Sequence, residues 1–167
     1  MSRNAAKLRV AIGDPIPSIG LRATDGYLLN LRSWVSKSPV ALLFFAGPSL
    51  TGAARAQGNE VARAMAVAAP RLEGIGVAVA GITTDNERQQ GAYVADLELP
   101  YLLLSDERRI AVSALGIPTV NKRGSVNVAH PVLLTVDEAG ILRGAYRDPD
   151  PRLLAAIAVA FREPIPA

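Results

Sequence analysis

The chain predicts an α/β fold with a central mixed sheet and helices on both faces. Three observations carry this expectation. Val40 to Phe45 and Ile75 to Ile82 are continuous apolar runs of the kind buried on both faces of a mainly parallel sheet. A helical pattern follows each of them, and a late pair of strands precedes a closing helix. At 167 residues the whole chain, 1–167, fits one domain long enough to bury most of its surface.

The elements follow in order. Ile19, Leu21 and Ala23, then Leu29 and Leu31, alternate on either side of Asp25-Gly26, the signature of an N-terminal β-hairpin. Val40 to Phe45 then reads as the central strand. From Ala53 to Ala69 the apolar positions Val61, Ala64, Met65, Ala68 and Leu72 recur at helical spacing, with Arg55, Asn59 and Arg63 on another face. Met65 therefore reads as core. Ile75 to Ile82 is the next strand, and Thr84 with Glu87 makes a capping box for a helix reaching about Leu97.

Tyr101 to Leu104 gives a short strand. Ser105-Asp106 suits the N-cap of a helix carrying Ile110, Ala111, Ala114 and Leu115 and closed by Gly116. Ile117 to Ala129 has no clear period. Pro131 to Val136 and Ile141 to Tyr146 form a hairpin across Asp137-Glu138-Ala139-Gly140, and Asp150-Pro151 starts a last helix with Leu153, Leu154, Ile157, Ala158 and Phe161 buried and Pro164 ending it.

Composition excludes several function classes. Hydrophobic residues are 50% and charged residues 20% of the chain, a globular composition. The net charge of +3 is spread among interleaved acids, which argues against a nucleic-acid footprint. No stretch approaches the ~18 apolar residues of a membrane span, and Met1-Ser2-Arg3-Asn4 opens without an apolar leader, so no membrane partner and a cytoplasmic location are expected. Zero cysteines exclude disulfides, thiolate metal sites and thiol catalysis; with a single histidine, no metal and no cofactor are expected.

Several segments, in order, carry a resemblance. Gly13-Asp14-Pro15-Ile16-Pro17, then Asp25-Gly26 with Leu31, precede Leu42-Leu43-Phe44-Phe45 with Pro48 and Thr51. Leu99-Pro100-Tyr101-Leu102-Leu103-Leu104-Ser105-Asp106 and Val136-Asp137-Glu138-Ala139-Gly140 follow. Together, from about Gly13 to Arg147, they resemble the peroxiredoxin superfamily, the alkyl hydroperoxide reductase and thiol-specific antioxidant proteins. That resemblance implies a thioredoxin-like, three-layer α/β/α fold, thiol peroxidase ancestry and, as is common among such relatives, a homodimer.

The departures from the family decide the expected function. Pro48 and Thr51 look like the P-x-x-T-x-x-C loop, which puts the peroxidatic cysteine position at Ala54. Arg55-Ala56-Gln57 after it resembles C-R-x-Q. Peroxide cleavage needs a thiolate, which a helix N-terminus favours by lowering the thiol pKa from about 8.5. Alanine offers a methyl group, and the hydroxyl of Thr51 has no reversible oxidation ladder. The family's arginine before the late strand is also missing, the segment reading Ala129-His130-Pro131. Pro131 looks like the cis-proline that faces the active-site helix in thioredoxin-like folds. His130, a lone histidine, is more often structural than catalytic. Arg55, His130 and Pro131 are the expected binding residues of the pocket.

Other constellations fail on spacing. No G-x-S-x-G elbow accompanies His130. Gly74-Ile75-Gly76 sits at a strand start rather than between strand and helix, so it reads as a turn and not a phosphate cradle. Asp106-Glu107, Asp137-Glu138 and Asp148/Asp150 fall at turns and helix starts, where carboxylates cap backbone N–H groups. Two functions stay open: a non-catalytic pseudo-peroxiredoxin with a binding or structural role, holding a small-molecule or protein ligand in the altered pocket, and a peroxidase whose single peroxidatic cysteine is replaced by Ala54 in this chain.

Overall fold

The computed structural model describes residues 8–35, 37–122 and 124–160, with Val35 and residues 157–159 described by their backbone. Strands β1 (Gly20–Ala23) and β2 (Leu28–Asn30) form the expected antiparallel hairpin around Asp25-Gly26. The Asp25 carboxylate accepts from the Tyr27 N–H at 3.1 Å, and Gly26 takes φ of 90°, the left-handed conformation glycine adopts without cost. Helix α1 (Leu31–Val35) follows directly, so Leu31 opens a helix rather than extending the strand. Asn30 Oδ1 fixes the switch by accepting from the N–H groups of Arg32 and Ser33.

The remaining elements are β3 (Val40–Phe44), α2 (Gly52–Gly74), β4 (Ala78–Thr83), α3 (Glu87–Leu97), β5 (Leu102–Ser105), α4 (Ile110–Leu115), β6 (Thr119–Lys122), β7 (Ser125–Val128), β8 (Val132–Val136), β9 (Leu142–Arg147) and α5 (Leu154–Ala160). Seven strands make one sheet in the order β2-β1-β5-β4-β3-β8-β9, parallel across β3, β4 and β5 and antiparallel elsewhere. The middle place belongs to β4. Strand β3, expected there, lies one position away because β8 and β9 add only two strands beyond it.

Period-two alternation divides the strand residues between two cores. Val40, Leu42 and Phe44 face a layer holding Leu31 of α1 and Ala111, Val112 and Leu115 of α4. Ala41, Leu43 and Phe45 face α2, α3 and α5 through Val61, Met65, Leu72, Tyr93 and Leu154. This is the three-layer α/β/α arrangement. Met65 is fully buried, as its helical spacing implied. A Cβ on Gly81 would stand 2.6 Å from Leu103 Cδ2 and 2.9 Å from Phe45 Cε1, so glycine lets the second core close over β4.

Local capping differs from expectation in two places. Helix α3 starts from Asn86, whose side chain accepts from the Gln89 N–H at 2.8 Å while Gln89 Oε1 accepts from the Asn86 N–H at 3.0 Å. Thr84 is drawn instead to Val126 O, 2.9 Å away. Helix α4 has Arg109 at its N-cap with a left-handed φ of 59°. Asp106 still does the capping from further back, its two oxygens accepting from the N–H groups of Ala111 and Val112. Burial pushes the Asp106 carboxyl above its ordinary value, against the lowering effect of those bonds and of Arg109.

The segment read as aperiodic contains the β6–β7 hairpin, a separate two-stranded sheet. Gly74-Ile75-Gly76 is the turn that ends α2, with Gly76 at φ 82°. Asp150 caps a 3₁₀ turn, Pro151–Leu153, that leads into α5. Phe161 and Pro164, expected to finish that helix, lie outside the described residues. Among the described residues no helix is long and apolar enough to cross a membrane.

Candidate functional site

The site begins where β3 runs out. Phe45 N still donates to Ile82 O, and the chain then turns through residues 46–51 into α2. Two glycines permit this path. A Cβ on Gly47 would overlap the Asp85 carboxylate, and one on Gly58 would stand 2.1 Å from Ala46 O. Helix α2 therefore crosses the end of β3 at backbone contact. Asp85, almost fully buried, holds the loop by accepting from the Ser49 N–H at 3.0 Å and from the Ser49 hydroxyl through the same oxygen.

Thr51 is the N-cap of α2, with extended φ and ψ of −128° and 174°, and its side chain makes no capping bond. The first-turn N–H groups are thus left to whatever lies in front of them. Ala54 sits in that first turn and is half-buried, as the T-x-x-C spacing required. Arg55 turns back, its Nη1 donating to Pro48 O at 3.3 Å, so its cation braces the loop. Behind the helix the Tyr93 hydroxyl donates to Asn59 Oδ1 at 2.7 Å; burial pushes its pKa up to about 12, against the lowering effect of Arg55 and Arg63.

A cavity of about 720 Å³ lies beside Ala54. One wall is the loop and first turn, with Ser49, Leu50, Thr51 and Ala53; the other is the β6–β7 hairpin, with Asn121, Lys122 and Ser125. The three hairpin residues were missed by sequence reasoning. The signal was weak: two strands of only four residues each on either side of Gly124. The hairpin is pinned by Thr84 Oγ1 against Val126 O and by Ser49 Oγ, 3.4 Å from Asn127 Oδ1.

His130 and Pro131 precede β8 at the same end of the sheet, where Val132 pairs with Phe44, but neither is among the residues lining that cavity. His130 Nδ1 lies 3.5 Å from Asp148 Oδ2, Gln57 Nε2 of α2 donates to Asp148 Oδ1 at 3.3 Å, and the Asp148 N–H donates to Pro131 O at 2.8 Å. The segment is thereby joined to α2 through Gln57 rather than through Ala54. The bond before Pro131 is trans, like every described peptide bond, which corrects the cis expectation. Trans is the lower-energy form of an X-Pro bond, and β8 begins straight from Val132 without needing the alternative.

The arrangement offers a helix N-terminus, hydroxyls of Ser49, Thr51 and Ser125, and one ammonium at Lys122, with no sulfur from cysteine in the chain. It can hold a polar group but has no nucleophile able to cycle through a sulfenic acid.

Residues 12–145 match the family model described as the AhpC/TSA family. Among curated proteins no sequence matches the chain. Solved structures similar to it include the peroxidoxin BcpB from Mycobacterium tuberculosis, 20% identical over 92% of this chain and 96% of that one, with a TM-score of 0.76. A cysteine-to-serine mutant of PrxQ from Xylella fastidiosa is 16% identical over 93% and 99%, at 0.78. The AhpC of Enterococcus faecalis is 10% identical over 92% and 93%, at 0.73. These likenesses bear on the fold.

Proposed function

Because the chain belongs to the AhpC/TSA family, we propose that it is a pseudo-peroxiredoxin, a one-domain cytoplasmic protein that does not reduce peroxides by thiol chemistry and works by binding. The observation that carries this reading is Ala54 in the first turn of α2, in a chain of 167 residues without cysteine. A peroxide O–O bond breaks when a thiolate attacks one oxygen and the other leaves as hydroxide or alkoxide. A methyl group has no lone pair to offer. Thr51 is exposed at the same helix end, but its alkoxide is inaccessible near neutral pH.

The ligand, a small molecule or a segment of another protein, occupies the cavity beside Ala54, where Lys122 and the three hydroxyls supply polar contacts. No catalytic cofactor takes part, and the chain pairs with a second copy of itself. Purified, metal-free protein given hydrogen peroxide and dithiothreitol tests the catalytic half of the reading. No reductant-dependent peroxide loss above the protein-free background is expected. Sustained turnover would overturn it, and a cysteine codon at position 54 of the encoding gene would place the chain among one-cysteine peroxidases instead.

A further inference from the structure

The loop between β3 and α2 sets a hydroxyl against a buried carboxylate that no cation neutralises. Asp85 is 2% exposed and, among the described residues, forms no ion pair. Its Oδ1 accepts from the Ser49 N–H at 3.0 Å and from the Ser49 hydroxyl, while its Oδ2 is buried without a partner. The Asp85 backbone is fixed on both sides, its N–H donating to Thr83 Oγ1 at 3.2 Å and its carbonyl accepting from the Ser105 hydroxyl at 2.6 Å. Asn127 Oδ1, on another buried side chain, lies 3.4 Å from the same Ser49 oxygen. A hydroxyl has one proton to give, and of these two acceptors the charged one, shielded from water, takes it.

Holding the loop would need only the Ser49 N–H. The residue is exposed, however, and lines the cavity beside Ala54. Ala53 and Ala54 line the same cavity, and the first-turn N–H groups of α2, which the Thr51 side chain leaves uncapped, are donors there. One cavity thus brings together a hydroxyl, a carboxylate within reach of its proton, and donors for an oxygen that becomes negative. Acyl transfer to a serine requires those three parts. Ser49 differs in this from Thr51: a base takes its proton as the attack proceeds, so no free alkoxide has to form.

We propose that Ser49 is a nucleophile with Asp85 as its general base, and that the Ala54 cavity cleaves short-chain carboxylic esters. This takes the cavity as the binding site proposed for the chain and adds a covalent step to it. Ser49 Oγ attacks the ester carbon as its proton passes to Asp85 Oδ1, and the carbonyl electron pair moves onto the oxygen held by the first-turn N–H groups. That pair returns, the bond to the alkoxide breaks, and the departing alcohol takes the proton from Asp85. Water then gives a proton to Asp85 and attacks the acyl carbon, releasing the carboxylic acid as Ser49 Oγ recovers its proton. A phosphate ester would bring negative charge against the unpaired Asp85 carboxylate, so the substrate is a neutral carbonyl. An amine leaves less readily than an alcohol, and the dyad holds one proton to give, so the ester and not the amide is cleaved.

Two probes test this on the purified chain: p-nitrophenyl butyrate, followed by release of nitrophenolate, and a neutral fluorophosphonate, whose adduct is mapped by mass spectrometry. Saturable ester cleavage is expected, with the phosphonyl group on Ser49 at least about tenfold faster than on other exposed serines. Ser49→Ala, prepared in the same way to exclude a contaminating esterase, loses the cleavage and the adduct. Asp85→Asn keeps an acceptor for the Ser49 N–H and lowers both rates about a hundredfold. Thermal melts identify a variant that has lost the loop, in which case selective labelling of Ser49 in the parent chain decides. Absence of cleavage, cleavage retained by Ser49→Ala, labelling spread over surface serines, or parent-level rates in Asp85→Asn would each overturn the proposal. An ester that shifts the amides of Ala53 and Ala54 without being cleaved overturns the covalent step and not the binding reading, and peroxide turnover of the same preparation tests the absence of thiol chemistry separately.

Discussion

Ala54 occupies a position whose surroundings favour negative charge more than its own side chain can use. The uncapped N–H groups behind Thr51 and the positive end of a 23-residue helix face it, and Lys122 stands across the cavity. A sulfur placed there gains from all three. Ala54→Cys should therefore titrate below the free-thiol value of about 8.5, read from thiolate absorbance against pH. Lys122→Met in that background should move the midpoint part of the way back up. A midpoint at or above the free value would mean that the helix end is not open as described. Lys122 also bears on the missing arginine. Loss of one positioned donor to a departing oxygen costs about 3 kcal/mol, and an exposed, flexible ammonium recovers only part of it.

At the scale of elements, the seating of α2 rests on contact rather than charge. Gly58 meets Ala46 O so closely that a methyl group there must push the helix from the sheet. Gly58→Ala should cost about 2 kcal/mol in denaturant unfolding despite the better helix propensity of alanine. Unchanged stability would contradict the packing. The β8–β9 turn depends on Asp137, which accepts from the N–H groups of Ala139 and Ile141 and from Arg143 Nε at 2.6 Å. Burial alone would raise its pKa; the bonds from Ile141, Arg143 and Ala139 outweigh that and hold it below the ordinary carboxylate value. A carboxyl lowered on folding adds stability above its unfolded pKa, and that stability is lost as the pH falls through the folded value. Asp137→Asn should cost about 1 kcal/mol at pH 7, since Arg143 is half in water, and nearly nothing in strong acid. A cost that persists in acid would point to shape rather than charge.

The elements legible in the sequence were those with a strong local signal: helix α2 repeats its period over several turns, strand β3 is an unbroken apolar run, and Asp25-Gly26 marks its hairpin by chemistry alone. Helix α1 is five residues and the β6–β7 strands four each, too short for any period, and the hairpin takes its position from Thr84 and Ser49, far away in sequence. One wall of the Ala54 cavity was hidden for that reason. The proline expectation failed differently: it came from likeness rather than from a local conflict that would demand a cis bond.

For the molecule as a whole, the three-layer frame delivers α2 to the end of β3 whether or not a sulfur rides on it. Each of the two cores is continuous across the sheet, and neither depends on the side chain at position 54. Architecture and chemistry are therefore separable in this chain. The most direct measurement of that separation is sulfenic acid formation by mass spectrometry, after hydrogen peroxide is added to the chain as it stands and to Ala54→Cys in parallel. The parent chain should gain no oxygen beyond methionine oxidation. The variant should gain one at position 54, faster than a free thiol at neutral pH but well below an intact peroxiredoxin. Peroxide consumption by the parent chain beyond that taken up by its methionines, or a variant cysteine no more reactive than a free thiol, would contradict the account.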